Sequence, residues 1–363
     1  MRGTQDRQAS MLALFSIEAR IPREHPLRRI KRMADQQLLR LSPVFNRMYS
    51  NVGRPSVAPE KILKSLLLIA LYSVRSERQF CEQLGYNLLF RWFLDMELEE
   101  ESFDATVFSK NRERLMEHEV GRLFFDAVVR EARDAGLMSA EHFTVDGTLI
   151  EAWASLKSFR PKGEEKSGDK DQGDPGNPSV DFHGEKRKND THQSTTDPDS
   201  LLIRKGPGKE AKLSYAAHAL MENRNGLLVD LAVSQATGTA EREAAKSMIK
   251  RQKRKGVRIK TVGADKAYDT EGFVDFLRSR KIVPHVAANT ERRGGPAIDG
   301  RTMRHQSYSI SQRIRKRVEE IFGWMKTVGG FRKTHYRGTD RTRLAAWWVG
   351  AAYNLVRMAK LVA

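Results

Sequence analysis

Three carboxylates and two basic side chains carry the chemical signal of this sequence. Asp146 ends an alternating run, HFTVDGT, that reads as a strand with Phe143 and Val145 on one face. Asp265 ends a second strand-like run, VRIKTVGAD, and Glu319 lies within a helix-like run, SQRIRKRVEEIFGWMKTVG. Aspartates at the ends of two neighbouring strands project from one sheet edge, where open α/β sheets build their sites. Glu319 would complete the cluster from its helix. Three converging carboxylates repel one another unless a cation lies between them. Hard oxygen ligands of this kind suit Mg²⁺, with Mn²⁺ able to substitute. Two such ions about 3.5–4 Å apart would activate a water or a 3′-hydroxyl and stabilise the leaving oxygen in phosphodiester displacement.

The Glu319 helix adds phosphate-binding chemistry. At 100° per residue, Arg315, Glu319 and Lys326 fall at about 0°, 40° and 20° on one narrow face. Arg grips phosphate bidentately and Lys acts as a point charge. Ile314, Val318, Ile321 and Met325 form an adjacent apolar seam that would dock the helix. Each acid has an ordinary alternative: Asp146 as a turn residue before Gly147, Asp265 as a helix cap with Asp269 competing, and Glu319 as a solvated carboxylate beside Glu320. Glu320 falls 100° further round, away from Arg315 and Lys326.

The elements that must position these residues change character along the chain. Residues 1–50 are basic and helix-compatible. GRPSVAPEK reads as a turn into a helix with Pro59 at its first position. Residues 62–94 are apolar at helical spacing, with Gly85 a break between two helices. SKNRERLMEHEVGRLFFDAVVREARDAG predicts one long helix. The expectation is an all-helical domain over residues 1–138, then an α/β unit over 139–363.

In the second unit, Asn225-Gly226 predicts a hairpin turn between two strands. Helix, strand, helix, strand and helix follow, giving a mixed sheet. A final helix from about Thr342 to Leu361 is apolar nearly all round and should pack into the body. Residues 157–200 hold Val180 as their one aliphatic residue and predict an extended or disordered polar insertion between the first and second strands.

The 363 residues suggest about two domains. The chain holds 64 Lys+Arg against 46 Asp+Glu, a formal net charge of +18. That excess favours a polyanionic partner, most simply nucleic acid. Eight of the basic residues lie in 246–260 with no acid, among them Lys250, Arg251, Lys253, Arg254 and Lys255, the candidate DNA-binding run. A further 14 lie in 301–363 against three acids. A lone cysteine, Cys81, excludes an intramolecular disulfide framework and a Cys-cluster zinc site. No apolar run reaches the ~18 residues of a membrane span, and no secretory signal is evident, so a cytoplasmic protein without a membrane partner is expected. KGPGK at 205–209 lacks P-loop spacing, so no nucleotide cofactor is expected. His218 and His285 read as buried, hydrogen-bonded histidines, and Trp347 and Trp348 as core. Trp324 could border a substrate. Arg75, Arg78 and Arg91 near Gly85 are compatible with a helix-turn-helix or with plain helix packing.

Taken together, these motifs resemble a DDE transposase of the insertion-sequence-five family, close to the insertion-sequence-four group. Asp146 in VDGT matches the first catalytic aspartate and Asp265 in GADKAYD the second. Arg315-(x3)-Glu319-(x6)-Lys326 matches the Arg, Glu and Lys of the family's Tyr-(x2)-Arg-(x3)-Glu-(x6)-Lys signature; Gln312 stands where the family has Tyr. GRPSVAPEKILKSLLLIALYSVRSERQFCEQL and GKEAKLSYAAHALMENRNGLLVDLAVSQATGTAEREAA resemble the family's helical and central blocks. The resemblance implies an RNase H-like catalytic core and a DNA-binding or dimerising helical domain. It also implies metal-dependent cleavage and strand transfer at the inverted-repeat ends of a bacterial insertion sequence. Double-stranded DNA as partner, a homodimer on that DNA and a nucleoid-associated location belong to the same expectation.

Overall fold

A computed structural model describes residues 2, 16–50, 52–163, 181–182, 185–206 and 208–362. Eight helices come first: α1 (Ile17–Arg20), α2 (Leu27–Arg40), α3 (Ser42–Met48), α4 (Pro59–Leu71), α5 (Glu77–Tyr86), α6 (Leu88–Phe93), α7 (Thr106–Glu117) and α8 (Val120–Asp134). Pro59 opens α4 as its sequence suggests, since its missing N–H would have no helical partner there.

Two helix boundaries differ from expectation. Gly85 lies inside α5; the break falls at Asn87, whose side chain accepts from the amides of Leu89 and Phe90. An earlier break falls at Ser73, with φ +52°. The long run after Phe108 is two helices, parted at Glu119, which adopts φ +50° without any glycine to mark the turn. Arg91 is buried and donates to the carbonyls of Leu84 and Leu98, so it holds the α5–α6 corner and presents no charge to solvent.

The chain then enters β1 (His142–Glu151). Four short strands follow: β2 (Phe159–Pro161), β3 (Asp181–Phe182), β4 (Glu185–Lys186) and β5 (His192–Ser194). Then come β6 (Leu201–Arg204), β7 (Ala211–Glu222), β8 (Leu227–Gln235), α9 (Ala240–Arg254), β9 (Thr261–Ala264), α10 (Glu271–Arg278) and β10 (Val283–Val286). The last helices are α11 (Gly300–Met303), α12 (Gln306–Ile314), α13 (Val318–Lys326) and α14 (Thr339–Leu361).

Six strands form one mixed sheet in the order β10-β9-β1-β7, with β8 and β6 both paired to β7. β1, β9 and β10 run parallel; β7 runs antiparallel to β1, β6 and β8. The β7–β8 hairpin turns at Asn225-Gly226, with Gly226 at φ +68°. α14 crosses β8 and α8 closely: a Cβ at Gly350 would meet Leu228, Leu231 and Phe125 at 2.9–3.2 Å. Trp348 is buried there, whereas Trp347 is half-buried and donates to the Leu231 carbonyl.

Part of the predicted insertion is ordered. Residues 164–180 and 183–184 lie outside the described residues, but the flanks are built into the body. Phe159 stacks on His192, with ring centroids 5.5 Å apart. Buried Asp197 accepts from the Tyr215 hydroxyl at 2.6 Å and the Gly338 amide at 3.1 Å. Asp199 accepts from the Thr339 amide at the start of α14. Composition does not register this kind of anchoring, because polar hydrogen bonds replace the missing apolar burial.

Candidate active site

Asp146 lies in the middle of β1, not at its end, because β1 pairs with β7 as far as Glu151. On the other side β1 pairs with β9 only from His142 to Thr144. Arg332 and Thr334 take up the pairing again, bonding to the backbone of Glu151. Between these two stretches, from Val145 to Ile150, no described strand flanks β1 on this side. The result is a notch in the sheet with Asp146 on its wall.

Asp265 follows the last residue of β9 and so stands at one end of the notch. Thr144 pairs with Gly263, which puts Asp146 and Asp265 each two residues beyond the last matched pair. Asp265 also caps the short 3₁₀ turn after it, accepting from the Ala267 amide at 2.9 Å. The competing Asp269 is buried and spent on backbone, accepting from the amides of Asn289 and Ile298.

α12 and α13 cover one face of the notch. They are joined by a 3₁₀ turn over Arg315–Arg317, so the helix is not uniform. Gly263 permits the close crossing: a Cβ there would meet Ser311 Oγ at 3.1 Å and Arg315 Cβ at 3.6 Å. Val318, Ile321 and Met325 are buried as the seam requires, while Ile314 is half-buried. Lys326 donates to Thr148 Oγ1 at 2.6 Å. Gln312 bonds to the His285 carbonyl and accepts from Arg315 Nε at 2.9 Å. Glu319 is exposed, and no described residue donates to it. The structure therefore brings Asp146, Asp265, Arg315 and Lys326 around one notch; Glu319, on α13 between Arg315 and Lys326, is exposed. Among the described residues, no three His, Cys, Asp or Glu side chains close on one metal position.

One acid came without any sequence signal. Glu241, in the first turn of α9, lies against the backbone of β1 from the other face: a Cβ at Gly147 would stand 2.8 Å from its Oε1. Its place in a helical first turn looks like ordinary dipole complementarity, so only the fold exposes the contact.

The electrostatics match crowded acid. Burial first, then the charges of Asp265 and Glu241, push the Asp146 carboxyl up to about 6, against the pull of the Gly147 amide and Arg315. Burial and Asp265 raise Glu241 as well. A donor set of carboxylates held at such cost fits a divalent cation, which would relieve both desolvation and repulsion. Lys326 is lowered, by burial and then by Lys205 and Arg332. These three cations line a cleft of about 520 Å³ with Lys209, Lys212 and Glu151, next to the notch.

The other predicted contacts fall on α9 and beyond its C-terminus. Lys250 and Arg254 are exposed. Arg251 is spent on buried Asp230, bonding both oxygens at 3.0 and 3.1 Å. Lys253 donates to the Arg280 carbonyl, and Lys255 pairs with Asp126. His218 is buried and shares a 2.9 Å bond with Ser234 Oγ. His285 is also buried, but neither ring nitrogen has a described partner, contrary to expectation. Trp324 meets Tyr353 edge-on and is half-buried. No described helix is long and apolar enough to cross a membrane.

A family model described as "Transposase DDE domain" matches residues 181–355, and one described as "Transposase domain (DUF772)" matches residues 15–114. Asp265 and Glu319 fall inside the first match; Asp146 falls between the two. No curated protein matches the chain. Among solved structures, a piggyBac transposase synaptic complex with hairpin DNA is 11% identical, covering 91% of this chain and 73% of that one at a TM-score of 0.41. A Mos1 transposase paired-end complex is 12% identical, covering 86% and 82% at a TM-score of 0.21. Likenesses this weak carry no inference.

Proposed function

We propose that this chain is a DDE transposase, and that Asp146, Asp265 and Glu319 are its metal-holding carboxylates in a bacterial insertion-sequence transposase of the insertion-sequence-five type. The strand order β10-β9-β1-β7-β8, with one antiparallel hairpin and two parallel additions, supports an RNase H-like core. The observation that carries the site is the pairing of Thr144 with Gly263, which sets Asp146 and Asp265 side by side at the notch. Glu319 is one helical turn from Arg315, on the helix that carries Lys326 to Thr148.

Two Mg²⁺ ions, or Mn²⁺ in their place, would supply an activated water or 3′-hydroxyl and charge neutralisation at the leaving oxygen. The chain's own residues do the rest. Asp146 and Asp265 would hold those ions at the notch, where the reacting phosphodiester must lie. Arg315 and Lys326 hold the flanking phosphates, Arg315 from the Asp146 side and Lys326 from the Thr148 side. Lys205, Lys212 and Arg332 extend that basic surface along the cleft. Exposed Lys250, Lys253, Arg254 and Lys255 offer a second basic strip for double-stranded DNA, while Arg251 of the same run holds Asp230. We assign end binding and dimerisation on DNA to the helices of residues 1–138.

The test is cleavage of DNA carrying the element's own ends by purified protein with Mg²⁺. Asp146→Asn, Asp265→Asn and Glu319→Gln should each abolish cutting and strand transfer while retaining DNA binding. Cleavage by Asp146→Asn at the wild-type rate would overturn the assignment.

A further inference from the structure

We propose that Glu241 is a fourth carboxylate ligand of the ion held by Asp146 and Asp265, reaching the notch from the face opposite α13. The inference rests on the reading of those two aspartates given above.

Three observations converge. The first is the contact with β1. Gly147 has no side chain, and the space a Cβ would need is taken by Glu241: Oε1 at 2.8 Å, Cγ at 3.0 Å and Cδ at 3.1 Å. Alternation along a strand turns residues 146 and 147 to opposite faces. α9 and α13 therefore approach the same stretch of β1 from its two sides. Because β9 stops at Ala264, the edge of β1 here is open, and carboxylates from both faces can reach one point beside it.

The second observation fixes the turn that carries Glu241. The next residue, Arg242, donates to the Ala267 carbonyl at 3.2 Å. Ala267 belongs to the 3₁₀ turn that Asp265 caps. The first turn of α9 is thus tied to the Asp265 turn, and the two acids cannot drift apart independently.

The third observation is an unsatisfied hydroxyl. Tyr268 is 1% exposed, and its Oη has no described hydrogen-bond partner. Burial first, and then the charges of Glu241, Asp146 and Asp265, raise it well above the ordinary phenol range, against the pull of Arg242. A buried donor left without an acceptor keeps its desolvation cost unless something completes it. Among the described residues the three carboxylates do not close on one metal position, but they and a polar hydroxyl gather at one open edge, where an entering cation would draw the acids together. An acid placed merely for the helix dipole would gain nothing from burial against β1.

The experiment is Mn²⁺ binding to the full chain without DNA, by titration calorimetry and by the electron paramagnetic resonance of free Mn²⁺. Glu241→Gln should weaken binding about tenfold or more and shrink the rise in melting temperature that Mn²⁺ gives the wild type. Without metal, its melting temperature should equal or exceed wild type, because a repelling charge has gone; that result also shows the variant folded. Glu241→Ala serves if the amide misfolds. Asp146→Asn is run beside it. If Asp146→Asn loses Mn²⁺ and folded Glu241→Gln binds within twofold of wild type, Glu241 is no ligand and only this inference falls. If Asp146→Asn also binds as wild type, the reading of the aspartates falls and takes this one with it.

Discussion

Lys326 reaches from the end of α13 to the hydroxyl of Thr148, two residues past Asp146 on the same face of β1. The ammonium is half-buried, and its neighbours Lys205 and Arg332 are of its own sign. Thr148 is too weak an acceptor to justify that arrangement, whereas a phosphate would bind all three. Lys326→Met should therefore weaken DNA binding and reduce the slope of log affinity against log salt by about 1. Fluorescence anisotropy over a salt series reads both; an unchanged slope would make Lys326 a structural residue only.

Arg251 separates structural from phosphate-facing charge on α9. Asp230 is fully buried and accepts from Arg122, Arg251 and Gln252 at 2.8–3.1 Å. Asp230→Ala leaves buried Arg122 with Asp126 alone and should cost about 3–5 kcal/mol in denaturant unfolding. Arg251→Ala should lower the melting temperature and leave DNA affinity nearly intact at temperatures where it is folded. Exposed Lys250→Ala should do the reverse.

Burial lowers both His218 and His285 to about 4. Above pH 6.5 each is neutral in both folded and unfolded chains and contributes no pH dependence. As pH falls through 6.5 the unfolded chain takes up protons that the folded chain refuses, so stability is lost progressively down to about pH 4. For a group as buried as His218 the full loss is about 3 kcal/mol. His285→Leu removes one of the two contributions. Melting curves of metal-free protein from pH 7.5 to 4.5 should therefore fall less steeply for this variant; parallel curves would refute the account.

Gly350 lets α14 lie directly on β8. Gly350→Ala would force Leu228 or Phe125 aside, and overpacking of this kind costs about 1–3 kcal/mol. Urea unfolding should show a lower midpoint with an unchanged slope. A midpoint equal to wild type would mean that the contact relaxes freely.

Much of the site could be read before folding, because its residues sit where local rules operate. The alternation of HFTVDGT, the Asn225-Gly226 turn and the helical phase of Val318, Ile321 and Met325 are short-range signals. In sequence, Asp146 reads as the end of an alternating run, with Gly147 after it. In the fold, Gly147 continues the strand, and its missing side chain makes room for Glu241 instead. Glu119 breaks a helix with no breaker residue at the turn, and α8 beyond it packs on α14, a contact that no window of sequence contains. The ordered flank around Asp197 was hidden for the same reason, since its partners Tyr215 and Gly338 are far along the chain. The helical-wheel reading of Glu319 assumes a uniform helix, whereas Arg315–Arg317 form a 3₁₀ turn that advances each residue by more than 100°.

The match of Thr144 to Gly263 also restricts how such a chain can vary. Side chains along a strand repeat every two residues, so adding or removing one residue on either strand ahead of its aspartate would send that carboxylate through the sheet to the wrong side. More than forty residues are accommodated between Leu156 and Leu201 without disturbing β1. Not one could be gained between His142 and Asp146. Length is free downstream of the acid and frozen upstream of it.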